Sequence, residues 1–182
     1  MIQRTKNICF PRSGHHALSD VLLAYFGEEM HYCEHYLQPE KRMAICPDTN
    51  FEKDHDLDLE VPVIKDFRYL VQIRNPINCL SSWKTMSERV GGRPLAPDWV
   101  ERKGLDYWTS FAKKWVFSRI EAPRLVVTYE RMLQYPFEIC TQVIQFVTGI
   151  QNVDSKKLRG ALCDFPIYER ISRAPALIPD IA

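Results

Sequence analysis

The 182-residue chain lacks any apolar run approaching the length of a membrane span, and its first residues offer no apolar leader core before a β-prone segment begins. The expectation is a cytoplasmic chain with no membrane partner. A charge surplus is missing too: 24 Lys and Arg face 23 Asp and Glu, for a net charge of +1. Nucleic-acid binding usually needs a basic face, so no nucleic-acid partner is expected. Internal repeats, low-complexity tracts and a linker are absent, and 1–182 reads as a single domain. An apolar fraction of 46% with 26% charged residues is ordinary globular usage. The six cysteines, Cys9, Cys33, Cys46, Cys79, Cys140 and Cys163, are scattered, and several sit where a small buried hydrophobe would serve. Reduced thiols are expected. His31, Cys33 and His35 alternate along one stretch with Cys46 downstream, yet they match no common zinc spacing, and no metal is expected.

What is present starts with Ile8-Cys9-Phe10-Pro11-Arg12-Ser13-Gly14-His15-His16-Ala17-Leu18, a buried strand ending in a glycine-bearing turn that opens a helix. Backbone N–H groups at a helix start are unsatisfied donors at the positive end of the helix dipole, so phosphate or sulfate binds there. Arg12 and Ser13 add a fixed cation and a hydroxyl. The Gly-x4-Gly-Lys-Ser/Thr spacing of nucleotide triphosphatases is absent, and with it the lysine and the magnesium-ligating hydroxyl.

A second strand end repeats the theme. Tyr69 to Ile73 is β-prone and runs directly into Arg74-Asn75-Pro76, where Asn75 fits as N-cap and Pro76 as the first helical residue. Ser82, two turns into that helix, comes back towards the strand end. An arginine fork and a hydroxyl there can grip a phosphate monoester.

Taken together, Pro11-Arg12-Ser13-Gly14 and Arg74-Asn75-Pro76 with Ser82 resemble the two nucleotide motifs of the PAPS-dependent sulfotransferases, which bind the 5′-phosphosulfate and the 3′-phosphate of 3′-phosphoadenylyl sulfate (PAPS). The resemblance spans roughly residues 6–149, in family order. It implies a P-loop-like three-layer α/β fold, a central parallel sheet flanked by helices, and transfer of a sulfuryl group from PAPS to an acceptor hydroxyl with release of PAP. Arg12, Ser13, Gly14, His15, His16, Arg74 and Ser82 would hold the nucleotide. Between the motifs, Lys53 and His55 match a Lys-x-His element, and the resemblance implies His55 as general base, with Lys53 and Arg12 stabilising charge on the transferring group. Histidine titrates near neutrality, and the acidic neighbours Asp54, Asp56 and Asp58 are expected to keep His55 basic. Tyr129, in Thr128-Tyr129-Glu130-Arg131, matches a Tyr-Glu-Asp-Leu segment and would hold the adenine side.

Departures are visible. His15 and His16 replace two threonines, which would make anion binding more sensitive to pH. Arg131 stands where an aspartate is usual, and Lys157 and Arg159 are only a partial echo of the C-terminal Arg-Lys-Gly-x-x-Gly element over the 3′-phosphate. No metal is demanded, because fixed cations and backbone donors can neutralise the leaving phosphate. The acceptor is expected to be a small molecule or glycan, touched by a loop carrying Tyr32, His35 and Tyr36. Two other readings stand beside this one: a PAP- or PAPS-binding module without turnover, and a P-loop-like phosphotransferase using magnesium and ATP.

Elsewhere, strands alternating with helices imply a parallel sheet with ligands at its carboxyl edge. Leu18, Val21, Leu22 and Phe26 give the first helix its apolar face. Asp98 and Glu101 resemble a capping box opening a helix on which Leu105, Trp108, Ala112, Trp115 and Arg119 share a side. A helix opened by Pro136 and closed by Gly149 carries Ile139, Cys140, Val143, Phe146 and Val147 inward. The stretch 89–97 reads as a mobile loop, and the tail from Ala174 as an extended strap.

Overall fold

The computed structural model describes residues 2–34, 48–89 and 97–163. Cys46, His35, Tyr36, most of the 89–97 loop and the tail from Ala174 lie outside them. Among the described residues, five strands, β1 (Thr5–Cys9), β2 (Tyr32–Glu34), β3 (Phe51–Asp54), β4 (Arg68–Ile73) and β5 (Arg124–Thr128), form one sheet in the order β2-β3-β1-β4-β5. Every pairing is parallel. All five strands therefore end on one edge, and β1 lies at the centre of it.

Among the described residues, six helices cover the sheet: α1 (His15–Phe26), α2 (Pro76–Arg89), α3 (Pro97–Ala112), α4 (Tyr129–Gln134), α5 (Pro136–Thr148) and α6 (Ser155–Cys163). The strands sort side chains to two faces by their period of two. Leu70 and Val127 join Leu18, Leu22, Ile139, Val143 and Leu158 of α1, α5 and α6. Their neighbours Tyr69, Val71 and Val126, with Ile8 and Phe10, pack instead on Cys79, Trp83, Tyr107, Phe111 and Trp115 from the α2–α3 side. The result is the expected three-layer α/β architecture.

Local rules explain several boundaries. Asn75 Oδ1 accepts the N–H groups of Ile77 at 3.0 Å and Asn78 at 3.4 Å, capping α2 as its sequence indicated. Gly149 closes α5 at φ 75°, and its N–H reaches the Gln145 carbonyl at 2.7 Å. Phe51–Asp54, which carries Lys53, is a fully buried strand in which Glu52 pairs with Lys6 of the neighbouring strand at 3.0 Å. Two expectations need correction. Tyr32–Glu34 is an edge strand and not a loop. The inward side of α3 runs through Val100, Gly104, Tyr107 and Phe111, while Leu105 is 57% exposed. Gly104 sets that seam: a Cβ there would stand 2.8 Å from Leu80 Cδ2, so α2 approaches closely only along this side. Helix α3 itself begins at Pro97, one residue before Asp98, and continues into a π-helical turn at Lys113–Phe117.

Candidate functional site

The carboxyl edge opens into a cleft of about 410 Å³, a size suited to a small ligand. Its floor is the turn between β1 and α1. Arg12 adopts φ 67° and Gly14 φ 84°, so two residues in the left-handed region fold the chain tightly and bring it to the start of α1. A Cβ on Gly14 would stand 2.3 Å from the Tyr129 ring, which is why glycine alone fits between the turn and β5's end. Ser13 is buried in this turn, and its Oγ has no hydrogen-bond partner among the described residues.

The second strand end meets the first. Arg12 Nε donates to Ser82 Oγ at 3.1 Å, and Arg74 donates through Nη1 to the Arg12 carbonyl at 3.3 Å. The Arg74 guanidinium lies 4.4 Å from the centre of the Tyr129 ring, and its Nε is buried without a hydrogen-bond partner among the described residues. Ser82 thus reaches the cleft through Arg12 rather than by lining it. Two guanidinium groups, a hydroxyl and the α1 N-terminus converge on one space. That set can bind a dianion through charge-assisted bonds.

β3 supplies Lys53 and, one residue past its end, His55, and both line the cleft. Lys53 is only 1% exposed, and its Nζ lies 3.4 Å from Glu34 Oε1 on β2. His55 sits against the end of β1, where Nδ1 is 2.6 Å from the Cys9 carbonyl. A carbonyl only accepts, so Nδ1 carries the hydrogen and Nε2 is left as the basic nitrogen. Burial, followed by the Lys53 charge, pulls the His55 pKa down to about 4, overriding the opposing pull of Asp54 and Glu34. The expectation of a basic His55 is therefore corrected: the imidazole is neutral at neutral pH. The Asp56 carboxylate is instead bonded to Lys114 Nζ at 2.8 Å, Trp115 Nε1 at 2.6 Å and the Val61 N–H at 2.8 Å.

Of the two histidines after the loop glycine, only His16 is exposed to the cleft. His15 lines the cleft but is 5% exposed, and its ring nitrogens are engaged, Nδ1 by Asn7 Oδ1 at 2.6 Å and Nε2 by the Tyr32 hydroxyl at 2.7 Å. Burial and Lys53 hold its pKa well below the ordinary value. As a charged donor to an anion, His15 is corrected; its backbone at the helix start remains available for that role. Lys157 and Arg159 are corrected as well. On α6, Lys157 lies 5.2 Å from the Tyr25 ring, about 15 Å along α1 from the loop, and Arg159 lies 4.6 Å from the Phe137 ring.

Tyr129 opens α4, whose first turn is capped by Thr128 Oγ1 accepting from the Arg131 N–H at 3.3 Å. Arg131 is a helix position here and does not line the cleft. Sequence reasoning missed Glu34, Glu130 and Trp108. Glu130 accepts the Asn75 N–H at 3.0 Å and Trp108 Nε1 donates to the Arg74 carbonyl at 3.0 Å, so both brace the second strand end. Glu130 was signalled by its place directly after Tyr129; Glu34 and Trp108 had no local signal.

No protein-family model matches this chain, and no curated protein matches it. Among solved structures, that of mouse sulfotransferase SULT7A1 complexed with PAP is similar, with a TM-score of 0.62 and 13% identity over 98% of this chain and 68% of that one. At that identity the likeness is one of fold, and the fold is sulfotransferase-like.

Proposed function

We propose that this chain is a PAPS-dependent sulfotransferase acting on a hydroxyl of a small molecule or glycan. The carrying observation is the convergence of Arg12, Arg74 and Ser82 beside the buried, unpartnered Ser13 hydroxyl at the ends of two adjacent parallel strands. The sulfotransferase-like fold supports the same reading, and the similar mouse enzyme is described with PAP. The 5′-phosphosulfate would lie over the β1–α1 turn, and Arg74 with Ser82 would take the 3′-phosphate. Tyr129 would flank the adenine side.

In the reaction, the acceptor oxygen attacks sulfur in line with the bridging oxygen, the new S–O bond forms as the old one breaks, and PAP departs with the electron pair. His55 Nε2 takes the acceptor proton, while Lys53 and Arg12 offset charge developing on the sulfuryl and leaving oxygens. A neutral imidazole suits that role at neutral pH, since its Nε2 holds no proton before the acceptor arrives. Leu57, Trp83 and Met86 give the cleft an apolar wall for the acceptor.

Calorimetry with PAP in metal-free buffer tests the reading. Wild type is expected to bind, and Arg74→Ala to weaken binding about 10–100-fold, the worth of charge-assisted bonds to phosphate. Magnesium-ATP binding without PAP binding would replace this reading with a phosphotransferase. PAP binding with no turnover of PAPS across an acceptor screen, and no change on His55→Ala, would select a non-catalytic nucleotide-binding module.

A further inference from the structure

The sequence directs attention to His31, Cys33 and His35, but the fold gathers other metal-ligating groups. We propose that His15, His16 and Glu34 form a binding site for a divalent first-row transition metal, Zn²⁺ foremost. His15 and His16 are the first residues of α1, and Glu34 is the last of β2. One donor atom from each lies within 4.8 Å of the others, and His15 Nε2 is 4.0 Å from Glu34 Oε1. Metal bonds of about 2.0–2.2 Å to nitrogen and oxygen need donors roughly 3–3.5 Å apart. Rotation of the exposed His16 side chain would bring in its donor, and a small shift of the partly exposed Glu34 carboxylate would close its 4.0 Å separation from His15 Nε2.

The tautomer is set for a metal. Asn7 Nδ2 donates to the Leu70 carbonyl at 3.2 Å, which turns its Oδ1 towards His15, where Nδ1 lies at 2.6 Å. The Nδ1 hydrogen therefore points at Asn7 and the Nε2 lone pair at Glu34 and Tyr32. A ligand histidine whose second nitrogen donates to a fixed protein oxygen is the usual supporting arrangement around zinc. The Tyr32 hydroxyl lies 2.7 Å from His15 Nε2 and donates to the Glu34 carboxylate, so the two donor groups face one point between α1 and β2.

Two imidazoles with one carboxylate favour zinc-like ions over magnesium or calcium, which prefer oxygen alone. Three protein ligands leave a fourth position, and because His15 and His16 line the cleft beside Lys53, water or a phosphate oxygen would take it. Lys53 already pairs with Glu34, so the metal competes with that ammonium for the carboxylate. The proposal does not depend on sulfuryl transfer.

The test uses the tag-free full chain stripped with chelator. Co²⁺ is titrated while visible absorption is followed, and Zn²⁺ is then used to displace it. A saturable band at one equivalent is expected, with Zn²⁺ competing, and His16→Ala and Glu34→Gln should each weaken binding about 100-fold. His15→Ala should abolish it, provided thermal unfolding shows the variant folded. Absence of a saturable band in wild type, or wild-type affinity in both His16→Ala and Glu34→Gln, would overturn the site. PAP calorimetry in chelator stands apart from this result, so either proposal can fail alone.

Discussion

Gly14→Ala separates the geometry of the turn from its charge. The residue adopts φ 84° and ψ 21°, which costs an L-residue about 1–2 kcal/mol. Its new Cβ would also lie 2.3 Å and 2.5 Å from two Tyr129 ring carbons and 3.2 Å from Met132 Cε. The ring must move, an overpacking penalty of about 1–3 kcal/mol. Gly149→Ala is the control, because φ 75° and ψ 1° impose nearly the same backbone cost, but the atom met at 2.9 Å is the tip of the exposed Gln3 side chain. In thermal unfolding, Gly14→Ala should therefore fall further than Gly149→Ala by about 1–3 kcal/mol, or roughly 2–4 °C for each kcal/mol in a chain of this size. Moving Tyr129 also removes the platform 4.4 Å from Arg74, so PAP affinity should drop in Gly14→Ala and not in the control. Equal destabilisation of the two variants would refute the close approach of turn and ring.

Replacing Asp56 by Ala strips the acceptor from Lys114, Trp115 and the Val61 N–H, and should lower stability by about 2–4 kcal/mol in urea unfolding; a loss below about 1 kcal/mol would mean the knot is not structural. His55 has a folded pKa near 4 against an ordinary value of 6.5, so the unfolded chain binds the extra proton between those values. Stability contributed by the neutral imidazole is thus complete above pH 6.5 and lost as pH falls towards 4. His55→Asn should flatten the stability profile across that window, and an unchanged slope would contradict the burial. Cys9, Cys79 and Cys140 are buried with thiols pushed up to about 12, whereas Cys163 is exposed. Alkylation of the native chain at pH 8, read by peptide mass, should label Cys163 well before those three.

Much of the edge was legible because it follows local rules. The β1–α1 turn, the Asn75 cap and the span from Pro136 to Gly149 each depend on residues within a few positions of one another. The elements that escaped depend on partners far along the chain. Glu52, Lys53 and Asp54 look like surface charges until Lys6 and Glu34 pair with the first two. The inward side of α3 is decided by the approach of Leu80 to Gly104, which no periodicity in α3 alone reveals. Lys157 and Arg159 echo a motif in sequence, yet α6 packs on α1 and α5 and carries both onto aromatic rings away from the cleft.

His15 and His55 went wrong for one shared reason. Local acids suggested that His55 would be raised, and the free histidine value suggested that His15 would titrate near neutrality. In the folded chain both rings are desolvated and both feel Lys53, and these two causes act in the same direction. Lys53 sits there because β3 is an interior strand between β2 and β1, and Glu34 on the adjacent β2 offsets its charge. The division of labour at the edge follows. Arg12, Arg74 and Lys53 supply fixed positive charge and the backbone supplies donors, while His15 and His55 stay neutral. The pH sensitivity expected from a charged His15 is removed by the burial that holds it against Asn7 and lowers its pKa.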